Sequence, residues 1–170
     1  MISNLKLKKW NKLVMRRKER EVKDKSKIDE IIKNCQICHL GLNDDGRVYI
    51  VPLNFGFVNE NNKRILYFHS AKEGKKIDLI KKNGYAGFQM DTSYKLVTGE
   101  KACDYTANFQ SIIGGGKISV VCDESEKILG LTALMNGTVC KKDWEFNGKW
   151  FNAVCVIKLE IDEICCKENA

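Results

Sequence analysis

The chain has 170 residues, the size of one globular domain, and its 44% hydrophobic and 30% charged residues exclude wholesale disorder. No apolar run approaches the roughly 20 residues that a membrane-spanning helix needs. The net charge of +7 is concentrated at one end: residues 1–23 carry nine Lys or Arg against Glu19 and Glu21, whereas 24–170 carry 20 charges of each sign, so a nucleic-acid-binding domain driven by its field is not expected.

Two segments follow from that charge pattern, a basic and flexible leader, 1–23, and a single domain, 24–170. The leader reads as a solvated stretch, as an arm for anionic partners or surfaces, or as a translated segment upstream of a functional start at Met15. Trp10, Leu13 and Val14 can line one face of a short helix, but residues 1–14 lack the continuous apolar stretch of about 7–15 residues of a signal peptide. A cytoplasmic protein is expected. Eight cysteines in 170 residues fall below the roughly 8–10% of a disulfide scaffold, so reduced thiols are the default.

In chain order, Asp24 or Ser26 caps a helix with Ile28, Ile31 and Ile32 on one face, ending near Asn34. Cys35–Leu42 reads as a strand, Asn43–Gly46 as a hairpin turn and Arg47–Val58 as a second strand. After a polar turn, Arg64–His69 forms a third strand, and Gly74–Lys82 a helix stopped by Asn83 and Gly84. Tyr85–Leu96 and Tyr105–Val121 are strands, the latter with Gly114–Gly116 marking a bend or a close backbone approach. A helix from Asp123 or Ser125 to Met135, a loop over 136–152 and a closing strand, Ala153–Ile161, complete the chain. Hairpin connections make the sheet antiparallel and curl it into a barrel: a mainly β fold with six strands and short peripheral helices.

Cys35-Gln36-Ile37-Cys38-His39 spells the C-x-x-C-H of covalent haem attachment. A strand there sends its two cysteines to opposite faces, where they cannot grip one ligand. A structural zinc needs two more ligands, and Cys165 and Cys166 are adjacent rather than spaced. The cysteines are therefore read as small hydrophobes, and no metal site is expected.

The run from His69 to Lys76 is the sharpest oddity, because Lys75 and Lys76 open a helix, where the dipole disfavours each cation by roughly 0.3–1 kcal/mol. An anion on the same amides reverses that cost, and Ser70 and His69 supply further donors to a phosphomonoester. A solvated basic helix start is the bland alternative. Gly114-Gly115-Gly116-Lys117 lacks the Ser or Thr of a phosphate loop. Pro52, the only proline, interrupts a strand ladder. It marks an edge, a bulge, or backbone facing a ligand, with Asn54 able to donate and accept. Of the two histidines, His69, beside the lysines, is the better acid–base candidate.

From Met15 to Lys117 the chain resembles the nitroimidazole-resistance proteins, a branch of the pyridoxamine 5'-phosphate oxidase-like flavin-binding split barrels. The likeness is carried by Met15-Arg16-Arg17-Lys18, Leu40–Asp45 with Ile50–Gly56, Tyr67–Ile80, and Ala102–Thr106 with Ile113, Gly114, Gly116 and Lys117. The resemblance implies a homodimer of six-stranded split barrels with FMN at the subunit interface. By position, Val51, Pro52, Leu53 and Asn54 would run along the isoalloxazine edge. His69, Ser70 and Ala71 would line the ribityl and phosphate region, Lys75 and Lys76 would neutralise the phosphate, and Gly114 to Gly116 would approach from the partner. The implied reaction reduces a nitroimidazole to its amine, with His69 delivering a proton or positioning substrate. The carboxy-terminal Arg-Leu of true pyridoxamine phosphate oxidases is missing, which argues against vitamin B6 oxidation. Two alternatives stand: a haem-binding split barrel with His69 as axial ligand, and a flavin-holding module without turnover.

Overall fold

Asp24 starts the domain as a helix cap, its carboxylate accepting from the Ser26 and Lys27 amides at 2.8 and 3.3 Å, which satisfies donors that the first turn leaves open. It precedes α1, Lys25–Asn34, in a computed structural model that describes residues 15–139, 143–146 and 148–169. There follow β1 (Cys38–Asp44), β2 (Arg47–Leu53), β3 (Gly56–Glu60), β4 (Lys63–Ala71), α2 (Lys75–Asn83), β5 (Tyr85–Val97), β6 (Thr106–Val120), α3 (Glu124–Thr138), α4 (Gly148–Ala153) and β7 (Val154–Asn169). Every neighbouring pair is antiparallel, in the order β2-β1-β5-β6-β7-β4-β3. The sheet curls without closing, a split barrel whose two edges, β2 and β3, are consecutive in sequence.

Seven strands stand where six are expected, because Arg47–Val58 breaks at Asn54 and Phe55. The Asn54 amide donates to the Gln36 carbonyl at 3.3 Å, Phe55 is buried, and Gly56 lies against α3 so closely that a Cβ would sit 2.4 Å from the Leu134 nitrogen. The chain therefore crosses from one sheet edge to the other. Other boundaries move as well. Cys35 caps α1 and precedes β1, so Cys35 and Cys38 both enter the core while His39 points outward. The expected 136–152 loop contains the last turn of α3 and most of α4, and the closing strand runs on to Asn169 along β6.

Alternation along β4 divides the interior. Leu66 and Phe68 join the main core with Ile31, Ile32, Leu40, Ile77, Ile80, Met90, Ile112 and Ile157. Tyr67, between them, faces the other way into a second cluster with Leu131, Leu134, Val154 and Val156 under α3. Period-two burial thus places successive β4 residues on two different surfaces. The Tyr67 hydroxyl donates to Glu126 at 3.1 Å, and Lys158 approaches the same carboxylate at 2.8 Å, so the polar end of the second cluster is satisfied. Met15 to Lys23, part of the basic leader, include a short 3-10 turn, Lys18–Arg20, and meet β7 where the Val22 amide donates to the Cys166 carbonyl at 2.9 Å; residues 1–14 lie outside the described residues. No helix among the described residues is long and apolar enough to cross a membrane.

Candidate functional site

The β1–β2 hairpin turns through Asp45 and Gly46, both with positive φ (50° and 87°), the two-residue type I′ geometry. Asp44 and Arg47, which flank it, form a hydrogen-bonded pair, and such pairs alternate along an antiparallel ladder. Tyr49, Val51 and Leu53 therefore direct their backbone groups to β1 and pack their side chains against the core. Val48, Ile50 and Pro52 direct theirs to the free edge of the sheet, and their side chains are exposed. A proline fits at 52 because that position owes β1 no N–H. Of the expected ring-edge segment, Val51 to Asn54, only Pro52 turns its backbone to the open edge of β2, joined there by its neighbour Ile50, while Val51 and Leu53 supply an apolar wall.

Across the split stand the end of β4 and the start of α2. Gly56 pairs with Tyr67, so β4 runs on beyond the start of β3 by four residues, Phe68 to Ala71. His69 and Ala71 are exposed and Ser70 half-buried. Ser70 pairs with Cys155 of β7, and both side chains take the inner face, where Cys155 joins the core. The His69 ring takes the face of Tyr67 and has no hydrogen-bond or ionic partner among the described residues.

Gly74, at φ 119°, leads into α2 and offers its first turn no side-chain cap. The amides of Ile77 and Asp78 return to the Gly74 carbonyl at 2.9 and 3.2 Å, which leaves those of Lys75 and Lys76 open. The structure gives the two lysines different roles. Lys75 extends to the hairpin, 2.6 Å from an Asp44 carboxylate oxygen and 5.4 Å above the Tyr49 ring. Lys76 is half-buried, and no carboxylate pairs with it among the described residues. Burial holds its ammonium below the ordinary lysine range, a trend partly offset by Cys155. Burial likewise pushes the Cys155 thiol up, against the pull of Lys76, Lys127, Lys81 and Lys72. A half-buried ammonium without a counterion beside two open amides is a ready anion seat.

Further contacts brace this corner. Lys82 pairs with Asp45 at 2.5 Å, and the Asn83 amide donates to the Asn43 carbonyl at 2.7 Å, so α2 holds the hairpin tip at three points. Gly114 and Gly116 are explained within the chain. A Cβ at Gly114 would meet the Glu163 carbonyl at 2.5 Å and the Phe88 ring at 2.6 Å; one at Gly116 would lie 1.9 Å from the Glu160 carbonyl, beside a bulge in the β6–β7 ladder. Asn54 also lines a cavity of about 510 Å³ with Lys33, Gln36 and Thr138. Sequence reasoning missed Asp44 and Tyr49 as the partners of Lys75, and Cys155 as the neighbour of Ser70. An acidic residue beside a turn signals the first faintly; strand register, which sets the second, leaves no mark in sequence.

Residues 24–168 match the family model described as pyridoxamine 5'-phosphate oxidase. A crystallised candidate 5-nitroimidazole antibiotic resistance protein from Bacteroides thetaiotaomicron is 30% identical, with 87% of this chain and 86% of that one covered and a TM-score of 0.75. A flavocytochrome from Azotobacter vinelandii (21% identity, 92% and 72% covered, TM-score 0.76) and an FAD and heme binding protein from Mycobacterium smegmatis (15%, 88% and 73%, 0.77) share the fold. Comparison with curated protein sequences returns no match. The split barrel, the family match over most of its length and the 30% identical relative together make this chain a member of the pyridoxamine 5'-phosphate oxidase family.

Proposed function

We propose that this protein is an FMN-dependent oxidoreductase of the nitroimidazole-resistance type, reducing a nitro group to an amine with electrons from reduced flavin. The observation that carries the reading is Lys76, a half-buried, unpaired ammonium beside the open amides of Lys75 and Lys76. Those donors and the Ser70 hydroxyl suit a phosphate monoester, and the free backbone groups of Ile50 and Pro52 suit the hydrogen-bonding rim of a flavin ring. When bound, a flavin supplies the electron transfer, which side chains cannot perform. The protein's part is to seat the anion, to wall the ring with Val51 and Leu53, and to hold the exposed His69 imidazole where it donates protons to the departing nitro oxygens, which leave as water.

The proposal includes a homodimer with the cofactor at the subunit interface. The outer face of β1, β2 and β5 supports it: Val48 and Ile50 are 76% and 62% exposed and border a shallow concavity with His39, Gly41 and Gly87. Contiguous exposed apolar surface of this kind marks interaction sites.

A second reading, haem ligation by His69, is favoured by its exposed and partnerless ring. The absorption spectrum of the purified protein separates the two, flavin bands supporting the first reading and an intense violet band the second. With FMN bound and kept reduced anaerobically by light and EDTA, which spare nitroimidazole in a flavin-free control, nitroimidazole absorbance should decline in the parent and persist at least tenfold longer in His69→Ala. A flavin-loaded parent that leaves nitroimidazole intact would reduce the protein to a flavin-holding module.

A further inference from the structure

Of the sheet's two edges, β2 takes part in the proposed flavin cleft and β3 does not. The β3–β4 turn, Asn61-Asn62, has positive φ at both positions (52° and 63°), so Glu60 and Lys63 close it as a hydrogen-bonded pair, and the ladder alternates from there. Gly56, Val58 and Glu60 therefore direct their backbone groups to β4. Phe57 and Asn59 direct theirs to the free edge, where neither the N–H nor the C=O finds a hydrogen-bond partner among the described residues.

Helices cover both faces of this strand and leave its edge open. Gly56 and Val58 lie under α3, whereas Phe57 packs against the main core and the Asn59 amide donates to Asp29 of α1. Between the helices opens a cavity of about 450 Å³, lined by Lys33 and Cys35 at the end of α1, Phe57 and Val58 of β3, and Leu129 and Ala133 of α3. It shares no residue with the concavities of the outer face that the proposed homodimer buries, nor with the anion seat at α2. Lys33 and Glu60 give its wall one charge of each sign, so it selects no net charge. Leu129, 42% exposed, and Ala133 offer an apolar surface. An outward strand residue presents N–H and C=O side by side, and a ligand that fills the cavity must satisfy both or strand them at a cost. A ring lactam carries the complementary pair, an N–H next to a C=O, and so stands in for an added strand. The volume falls within the usual range for small-ligand pockets.

We propose that the β3 edge is a binding site for an uncharged, planar heteroaromatic lactam. Its N–H donates to the Phe57 carbonyl, its C=O accepts from the Phe57 amide, and its ring packs against Leu129 and Ala133. The site goes beyond the flavin reading and does not depend on it. Calorimetric titration of the full chain, with and without saturating FMN, tests it with quinazolin-4(3H)-one and its 3-methyl derivative, which lacks the N–H. The lactam should bind at least tenfold more tightly than the methylated compound, with FMN present or absent. That preference should vanish in Thr132→Trp, which fills the cavity from α3, and survive in Lys76→Gln. In the parent, bound quinazolinone should slow hydrogen exchange of the Phe57 amide at least tenfold, read by NMR, and leave the open Ile50 amide of the other edge unchanged. Equal affinity for the two compounds, a preference untouched in Thr132→Trp, or an unprotected Phe57 amide overturns the proposal. Displacement of the lactam by FMN, or protection at Ile50, overturns it as well by assigning the compound to the flavin cleft.

Discussion

Lys75 and Lys76 are neighbours in sequence with opposite circumstances. Lys75 is exposed and neutralised by Asp44, whereas Lys76 is half-buried and unpaired. Removing a charge-assisted hydrogen bond to phosphate costs roughly 1.5–3 kcal/mol, so Lys76→Gln should weaken FMN binding at least tenfold, and Lys75→Gln by less than threefold, as read by quenching of flavin fluorescence. The same burial sets a sign for pH. Anion binding needs the ammonium, so FMN affinity should fall with rising pH before an ordinary lysine titrates, since the Lys76 pKa is depressed. In the free protein the charged form is the disfavoured one, which costs stability below that depressed pKa. Lys76→Met should therefore raise the melting temperature at neutral pH, as read by thermal unfolding, while abolishing the preference for phosphorylated flavin.

At the scale of elements, the site depends on β2 and β3 being separate strands on opposite edges, and Gly56 is where the crossing is tightest. A methyl group there would strike α3 backbone, which cannot yield as a flexible side chain does, so Gly56→Ala should cost at least about 2 kcal/mol in urea unfolding, an overpacking penalty. Helix starts, the Asp45-Gly46 turn and the α2 stop at Gly84, with φ 65°, are legible in sequence because each rests on local backbone chemistry. The break at Asn54 and Phe55 is not, because its causes are the Gln36 carbonyl, 18 positions away, and the α3 backbone. The misplaced charge of Lys75 and Lys76 marks a candidate anion seat in the sequence, with Ser70 beside it. Which lysine is free depends on where the hairpin tip lands, a tertiary contact beyond any local pattern.

At the scale of the whole molecule, the unclosed barrel leaves two edges, and beside that of β2 lies an exposed outer face of β1, β2 and β5. Val48 and Ile50 lie on that face while their backbone groups lie on that edge, so dimer formation and cofactor binding should be coupled. The parent should sediment as a dimer and Val48→Lys/Ile50→Lys as a monomer, and the variant should lose most of its FMN affinity although Lys76 is unchanged. A monomeric double variant that binds FMN as the parent does would separate the interface from the site.

The most direct measurement compares equilibrium binding of FMN and riboflavin, which differ only in the terminal phosphate, to the full chain at neutral pH. With the phosphate seated on the first turn of α2 beside Lys76, FMN should bind at least tenfold more tightly, an advantage that disappears in Lys76→Gln. Equal affinities in the parent, or an FMN advantage unchanged in the variant, would contradict the anion seat on which the proposed function rests.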